Sequence, residues 1–361
     1  MNPHLHAIIM AGGAGTRFWP ASRSLRPKQL LPLGGDRPLL AATVDRIAPR
    51  VPAERVYIAT GAHLLEATAQ TVPSVPREQL LAEPAPRNTA PCIAWATATI
   101  LRRDPEALIA VFPSDHFIAD EPAFLAAIDR ALEGAAQGCL ATIGIVPTRP
   151  ETGYGYIESG ALLAPGLRQV ARFVEKPDRA RAEGYVAAGN YLWNAGMFFY
   201  EGRVMRAAIE AHLPEIGAFL RRADEAALRG DEAALVARDF SALAAVSIDH
   251  GVMEKHDRLA VAPGDFGWND VGSWESAWEL AARDGDGNAL PEGSVAVDAR
   301  GNLVVDLTTT GAHKRLYSLA GVSDLVLVET DDAVLLIPRE RAQDVRAIVD
   351  ALKARGRSDL L

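Results

Sequence analysis

The chain has 361 residues, 49% of them hydrophobic and 23% charged, and a formal net charge of −9. That composition supports a large buried core and excludes a disordered chain. The acidic balance argues against broad, salt-driven contact with nucleic acid or an anionic membrane, so any anionic ligand must meet a local positive site.

The amino-terminal MNPHLHAIIM lacks the basic flank and cleavage site of a signal peptide, and no apolar run reaches bilayer length; a cytoplasmic location is expected. From residue 5 to about 145, LHAIIM, RVYIAT, QLLAEP, ALIAVFPSD and CLATIGI read as short buried strands separated by helical patterns. The clearest helix spans 123–135, where Phe124, Ala127, Ile128, Ala131, Leu132 and Ala135 recur at i, i+3, i+4 spacing. This alternation implies an α/β fold: a Rossmann-like, mainly parallel sheet covered on both faces, with ligands beyond the carboxyl ends of its strands. Cys92 and Cys139 lie in apolar or alanine-rich segments and read as buried thiols, and His4-x-His6 reads as incidental.

Between 150 and 200, ETGYGYIES, QVARFVEKP and NAGMFFY read as glycine-punctuated strands of a mixed or antiparallel extension forming a cleft wall. Helices are expected between 201 and 240. RDGDGNALPEG resembles a linker, followed by short strands in SVAVDARGNLVVDL, RLYSLAGVSDLVLVET and AVLLIP. A closing helix turns Ala342, Val345, Ile348, Val349 and Leu352 inward. These short strands would suit a small β-solenoid.

Several stretches carry chemistry. In AIIMAGGAGTRFW, a strand exits through Gly12, Gly13 and Gly15, which is either a tight turn or a phosphate cradle of backbone N–H groups. No GK[ST] follows, and Phe18 stands where a dinucleotide fingerprint needs its third glycine. Arg17, Arg23, Arg26 and Lys28 then fall within one proline-rich loop and suit a triphosphate plus a second phosphorylated substrate. Asp115 ends a buried strand and is either a helix cap or a metal ligand; Asp270, in FGWNDVGSW, is the second metal candidate, because two carboxylates are a usual way to hold Mg²⁺. Glu175 and Lys176 take opposite faces if their strand continues, as an edge ion pair or as sugar and phosphate contacts. Asn194 precedes a small Ala-Gly pair in a turn, a bulge or a site of close approach. In RNTAP, residues 87–91, Asn88 or Thr89 caps a helix whose N–H groups are also open to a nucleobase.

Taken together, AGGAGTRFWPASR, PKQ, RNTAP, PSDHF, FVEKP, NAGMF and WNDVGSW resemble, in order, the sugar-nucleotide pyrophosphorylases, and among them the mannose-1-phosphate guanylyltransferases. TDDAVLLIP and AQDVRAIV extend the similarity through the tail. The resemblance implies a catalytic domain over 1–282, a left-handed β-helix-like domain over 283–361, and transfer of GMP from GTP to mannose 1-phosphate. It implies nucleotide contacts from Ala11, Gly12, Gly13, Gly15, Thr16, Arg17, Arg87, Asn88, Thr89 and Ser114, and sugar-phosphate contacts from Gly155, Glu175, Lys176, Asn194 and Gly196. Arg17, Lys28, Asp115, Lys176 and Asp270 form the implied catalytic set, with Asp115 and Asp270 on Mg²⁺. A homodimer is implied as well. Longer members carry an isomerase domain, so isomerase activity is expected to be absent from a chain ending at Leu361.

Overall fold

A computed structural model of the protein describes residues 2–13, 15–33, 35–309 and 315–361. Ala14 of the glycine loop and residues 310–314 of the tail lie outside the described residues. The chain divides into two compact units, each discontinuous in sequence.

The first unit comprises Met1–Gly12, Thr43–Ser114 and Ile118–Trp268. Its strands are β1 (Leu5–Met10), β2 (Val56–Gly61), β3 (Leu80–Glu83), β4 (Leu108–Pro113), β5 (Leu140–Ile145), β6 (Tyr156–Ala164), β7 (Leu167–Val174), β8 (Tyr191–Glu201) and β9 (Leu259–Gly264). They form one sheet in the order β3-β2-β1-β4-β8-β5-β9-β7-β6. The β3-β2-β1-β4 half is wholly parallel, whereas β8 runs antiparallel to β4, β5 and β6, and β7 antiparallel to β9. The sheet is therefore mixed, as expected: parallel pairing recurs between β5 and β9, and every antiparallel pair involves β6, β7 or β8, the extension expected over 150–200.

Alternation along the strands explains the two covered faces. Ile8, Ile109, Val111 and Tyr200 face the helix Thr89–Arg103, and the buried Tyr200 hydroxyl shares a 3.0 Å hydrogen bond with Thr97. On the other face, Phe112 meets Phe199 and Phe124, the latter from the helix Glu121–Ala136. Strand β9 has no counterpart among the expected strands. Its sequence LAVAPG is short and ends in proline and glycine, which weaken a strand pattern. Pairing with β5 and β7 overrides that local signal.

The second unit comprises Gly13–Ala42, Asp115–Phe117 and Asn269–Leu361. Here β10 (Val295–Val297) pairs in parallel with β12 (Ser318–Ala320), and β11 (Leu303–Asp306) with β13 (Leu325–Glu329), to which β14 (Val334–Pro338) adds antiparallel. Phe18, Trp19, Val271, Trp274, Val326, Val328, Leu335 and Val345 share its core. The Trp274 indole N–H donates to the Trp19 carbonyl at 3.1 Å, and that of Trp19 to the Leu360 carbonyl at 2.9 Å. The closing helix Val345–Ala354 turns Val345 and Val349 inward, as its periodicity implies. The expected linker is instead structured: Asp284 accepts from the backbone of Asp286 and Asn288, and Asn288 and Asn302, both buried, hydrogen-bond at 2.9 Å.

Gly15 is required by its surroundings, since it sits at φ +59° and a Cβ there would lie 2.6 Å from Lys28 Cβ and 2.7 Å from Lys28 N. Gly15→Ala is expected to destabilise the protein by about 1–3 kcal/mol, the range for a residue forced into a sparsely populated backbone region. An unchanged denaturation midpoint would contradict this packing.

Candidate active site

Strand β1 delivers the chain to the glycine loop with its backbone already engaged: Ala11 N–H donates to the Ala59 carbonyl at 2.7 Å, and the Ala11 carbonyl accepts from Thr60 Oγ1 at 3.3 Å. Gly12 and Gly13 are exposed. At Gly12 a Cβ would come within 3.0 Å of Glu83 Oε2, so only glycine leaves that carboxyl undisturbed. Ser114, buried at the end of β4, donates its N–H to the Met10 carbonyl at 3.1 Å.

Glu83, at the end of β3, is a group the sequence pattern did not single out. It is 7% exposed, and its Oε1 has no hydrogen-bond partner. Burial pushes its carboxyl up from 4.5 to about 7, partly opposed by a hydrogen bond with the Cys92 thiol.

The RNTAP segment starts a helix as expected, with Asn88 as the cap; its Oδ1 accepts from Thr89 N at 2.8 Å. Asn88 has a positive φ of 64°, unusual for a non-glycine residue. Two of the amides offered to a nucleobase are already used. Thr89 N serves that cap, Ala90 N–H donates to the Val246 carbonyl at 3.0 Å, and Thr89 Oγ1 accepts from Ile248 N at 2.8 Å. Arg87 donates to the Ser241 carbonyl.

In the second unit, the cations of the basic loop are differentiated. Arg23 is tied to Asp332 at 2.7 Å and to the Leu360 carbonyl, and Arg26 is exposed. Arg23 is thus engaged by the protein itself, whereas the Arg26 side chain is open to solvent. Lys28 is 4% exposed; its Nζ lies 2.9 Å from Asp115 Oδ2 and donates to the Asp270 carbonyl at 2.7 Å. Residues 115–117 and 269–272 are further joined by two backbone bonds between Phe117 and Asn269, at 2.8 and 3.0 Å. Asn269 Oδ1 also accepts from Val271 N at 2.7 Å, holding Val271 at φ 47°. Beside that turn, a Cβ on Gly272 would lie 2.9 Å from Asp270 Oδ2 and 3.3 Å from Arg17 Nη1. The Asp270 carboxylate and the Arg17 guanidinium therefore border one point. Thr16 is exposed next to Arg17.

Asp115 is not a helix cap, because Asp120 takes that role through a 2.9 Å bond from Ala123 N. Burial raises the Asp115 carboxyl, but the charge of Lys28, with His116 and Arg17, holds it below the usual carboxylate range. An ionised Asp115 and the Asp270 carboxylate supply hard oxygen donors of the type and number with which Mg²⁺ is content, since it keeps several waters. Among the described residues no group of three or more His, Cys, Asp and Glu side chains is placed to hold a metal ion.

Back in the first unit, a second cluster forms where β6, β7 and β8 meet. Asn194 N–H donates to the Gly155 carbonyl at 2.8 Å, and a Cβ on Gly155 would lie 2.6 Å from Glu175 Oε2 and 3.4 Å from Asn194 Cβ. The structure brings Gly155, Glu175 and Asn194 together. Gly196, at φ 66°, donates its N–H to Asn194 Oδ1 at 3.1 Å. Glu175 and Lys176 do not take opposite faces. Strand β7 ends at Val174, Lys176 has φ 45°, and its Nζ returns to Glu175 Oε1 at 2.7 Å. Asp249, a further group missed in the sequence, accepts from Asn194 Nδ2 at 2.9 Å.

Residues 6–287 match the nucleotidyl transferase family model, and residues 292–352 a MannoseP isomerase/GMP-like beta-helix domain. The chain belongs to the nucleotidyl transferase family. Within that family it is 42% identical over 354 residues to the xanthan biosynthesis protein XanB of Xanthomonas campestris pv. campestris (strain B100), covering 98% of this chain and 74% of that one. A mannose-1-phosphate guanylyltransferase of Klebsiella pneumoniae is 40% identical over 357 residues, with the same coverage. The crystal structure of a protein named mannose-1-phosphate geranyltransferase, from Thermus thermophilus, aligns with a TM-score of 0.84 at 36% identity, over 97% of this chain and 99% of that one. The chain is thus a nucleotidyltransferase with an α/β catalytic fold and a carboxyl-terminal β-helix-like domain. No helix among the described residues is long and apolar enough to cross a membrane.

Because Glu83 is held protonated to higher pH in the folded state than in the unfolded chain, folding stability falls as pH rises from 4.5 to about 7. Glu83→Gln removes that loss. The variant is expected to match the wild type near pH 4 and to exceed it by about 3 kcal/mol at pH 8. Denaturant midpoints at the two pH values check this, and an equal difference at both would contradict it.

Proposed function

We propose that the protein transfers GMP from GTP to α-D-mannose 1-phosphate, giving GDP-mannose and pyrophosphate. The observation that carries this reading is the second unit's cluster: one buried ammonium on Lys28 ties Asp115 to the Asp270 backbone, and Arg17 borders the Asp270 carboxylate. The names of the relatives at about 40% identity support the substrate pair.

The chemistry needs no side-chain nucleophile. A mannose-1-phosphate oxygen, already ionised at neutral pH, attacks the α-phosphorus of GTP in line, and pyrophosphate leaves opposite. Orienting the reactants is worth on the order of 7–11 kcal/mol, against roughly 3–4 kcal/mol for one charge-stabilising donor, so positioning dominates. Arg17 takes the leaving phosphates, and Gly12 and Gly13 allow close approach of backbone to nucleotide. Lys28, being buried and doubly engaged, acts mainly by fixing Asp115 and Asp270. Those two carboxylates would hold Mg²⁺, whose charge offsets that of the phosphates when it is bound. Glu175 and Asn194 accept and donate to the sugar hydroxyls, and Lys176 reaches the sugar phosphate by leaving Glu175.

Guanine is favoured by a specific feature. It presents adjacent N1–H and N2–H donors, the pattern an ionised carboxylate matches; Glu83 has an oxygen lacking a protein partner and would match it on losing the proton that burial retains up to about pH 7.

A pyrophosphate-release assay crossing GTP, ATP, UTP and dTTP with mannose 1-phosphate and glucose 1-phosphate, with and without Mg²⁺, tests the reading. GTP with mannose 1-phosphate and Mg²⁺ is expected to be fastest; a clear preference for another pair overturns the specificity. Arg17→Ala is expected to lower kcat about 100- to 1,000-fold, as loss of one charge-stabilising donor does, with little change in mannose-1-phosphate binding. Asp115→Asn and Asp270→Asn should each weaken Mg²⁺ binding by calorimetry, and wild-type affinity in both would reject the pair as ligands.

A further inference from the structure

Asp249 begins a π-helical turn, Asp249–Met253, closed by a 2.9 Å bond from Glu254 N to the Asp249 carbonyl. Such one-residue widenings occur often at functional sites because they re-aim side chains. This one directs two carboxylates at neighbouring strands. Asp249 Oδ1 accepts from Asn194 Nδ2 on β8 at 2.9 Å, and Glu254 Oε1 accepts from Glu175 N, just past β7, at 3.3 Å.

The orientation of the Asn194 amide follows from its partners. A backbone N–H only donates, so the Gly196 N–H at 3.1 Å requires the Asn194 oxygen on its side. That places Nδ2 against Asp249, with one of its two protons used there. We propose that Asp249 is a positioning residue for the sugar phosphate: its carboxylate locks the Asn194 amide so that the second N–H is presented to a sugar hydroxyl oxygen. The inference rests on the guanylyltransferase reading, because it needs a sugar phosphate as ligand.

The surroundings make the device sensitive to protons. Burial, then the charge of Glu175, raises the Asp249 carboxyl from 3.8 to about 6, opposed by the bond from Asn194 and by Lys176. Glu175 and Lys176 face it from the end of β7; His250 and Glu254, themselves paired at 2.8 Å, belong to its own turn. A neutral carboxyl is a weaker acceptor than an ionised one, so affinity for the sugar phosphate falls as pH drops through about 6.

The test is calorimetric binding of mannose 1-phosphate and glucose 1-phosphate from pH 5 to 8, beside steady-state kinetics. Asp249→Ala is expected to raise the sugar-phosphate Kd and KM about 10- to 100-fold at pH 7.5, the scale of one lost hydrogen bond to a charged group. The KM for GTP should stay unchanged. Asp249→Asn keeps an acceptor oxygen and should recover much of the affinity while losing the part of the acid limb near pH 6 that exceeds the titration of the ligand's own phosphate. Wild-type affinity and an intact acid limb in both variants would overturn the role of Asp249 and leave the function standing. A wild type that binds neither sugar phosphate would overturn both. Equal losses in sugar-phosphate and GTP binding, with a lowered melting temperature, would mark Asp249 as merely structural and also reject the proposal.

Discussion

The second unit is organised around one ammonium group. Lys28 Nζ meets the Asp115 carboxylate and the Asp270 carbonyl, and so ties together three segments that lie far apart in the chain. Removing a lysine from water is costly unless its donors are used. Here both contacts are short, and Gly15 clears the space in which the Lys28 backbone packs. The glycine loop thus has a role besides any ligand: it lets the chain come close to Lys28. The paired backbone of Phe117 and Asn269 adds a second tie between the two acidic segments. Asp115 stays ionised as a consequence, which is the state that binding a cation requires.

The first unit uses a different device. Its sheet changes from parallel to mixed at β8, and the strands that break the parallel pattern, β6, β7 and β8, bring Gly155, Glu175 and Asn194 together at their ends and along β8. Antiparallel pairing sets their register, so small residues at Gly155 and Gly196 decide what can fit beside Glu175 and Asn194. The π-helical turn at Asp249 then closes the polar network from another element. Both units follow the same rule, with charged groups positioned by backbone geometry at the ends of strands and in tight turns.

Much of this was legible in the sequence. The five strands before residue 146 and the helix over 123–135 appear where apolar periodicity places them, because buried strands and amphipathic helices have strong local signatures. Asp115 and Asp270 could be singled out because one ends a buried strand and the other lies in a glycine-flanked turn. Three things were hidden. The strand β9 was masked by Pro263 and Gly264, which tertiary pairing tolerates. Lys176 turns back to Glu175 because its φ is positive, and no residue pattern announces a left-handed lysine. Glu83 matters through burial and Asp249 through a partner 55 residues away in the chain, properties that local patterns do not encode.

If the Lys28 ammonium organises the acidic cluster, its link to Asp115 must be an energetic coupling and not mere proximity. A double-mutant cycle with Lys28→Met and Asp115→Asn, read from denaturant unfolding at pH 7.5, measures that coupling directly. Because Asp115 remains 37% exposed, the expected value is about 1–3 kcal/mol and not that of a fully buried pair. Stability losses that simply add, within about 0.5 kcal/mol, would contradict the account.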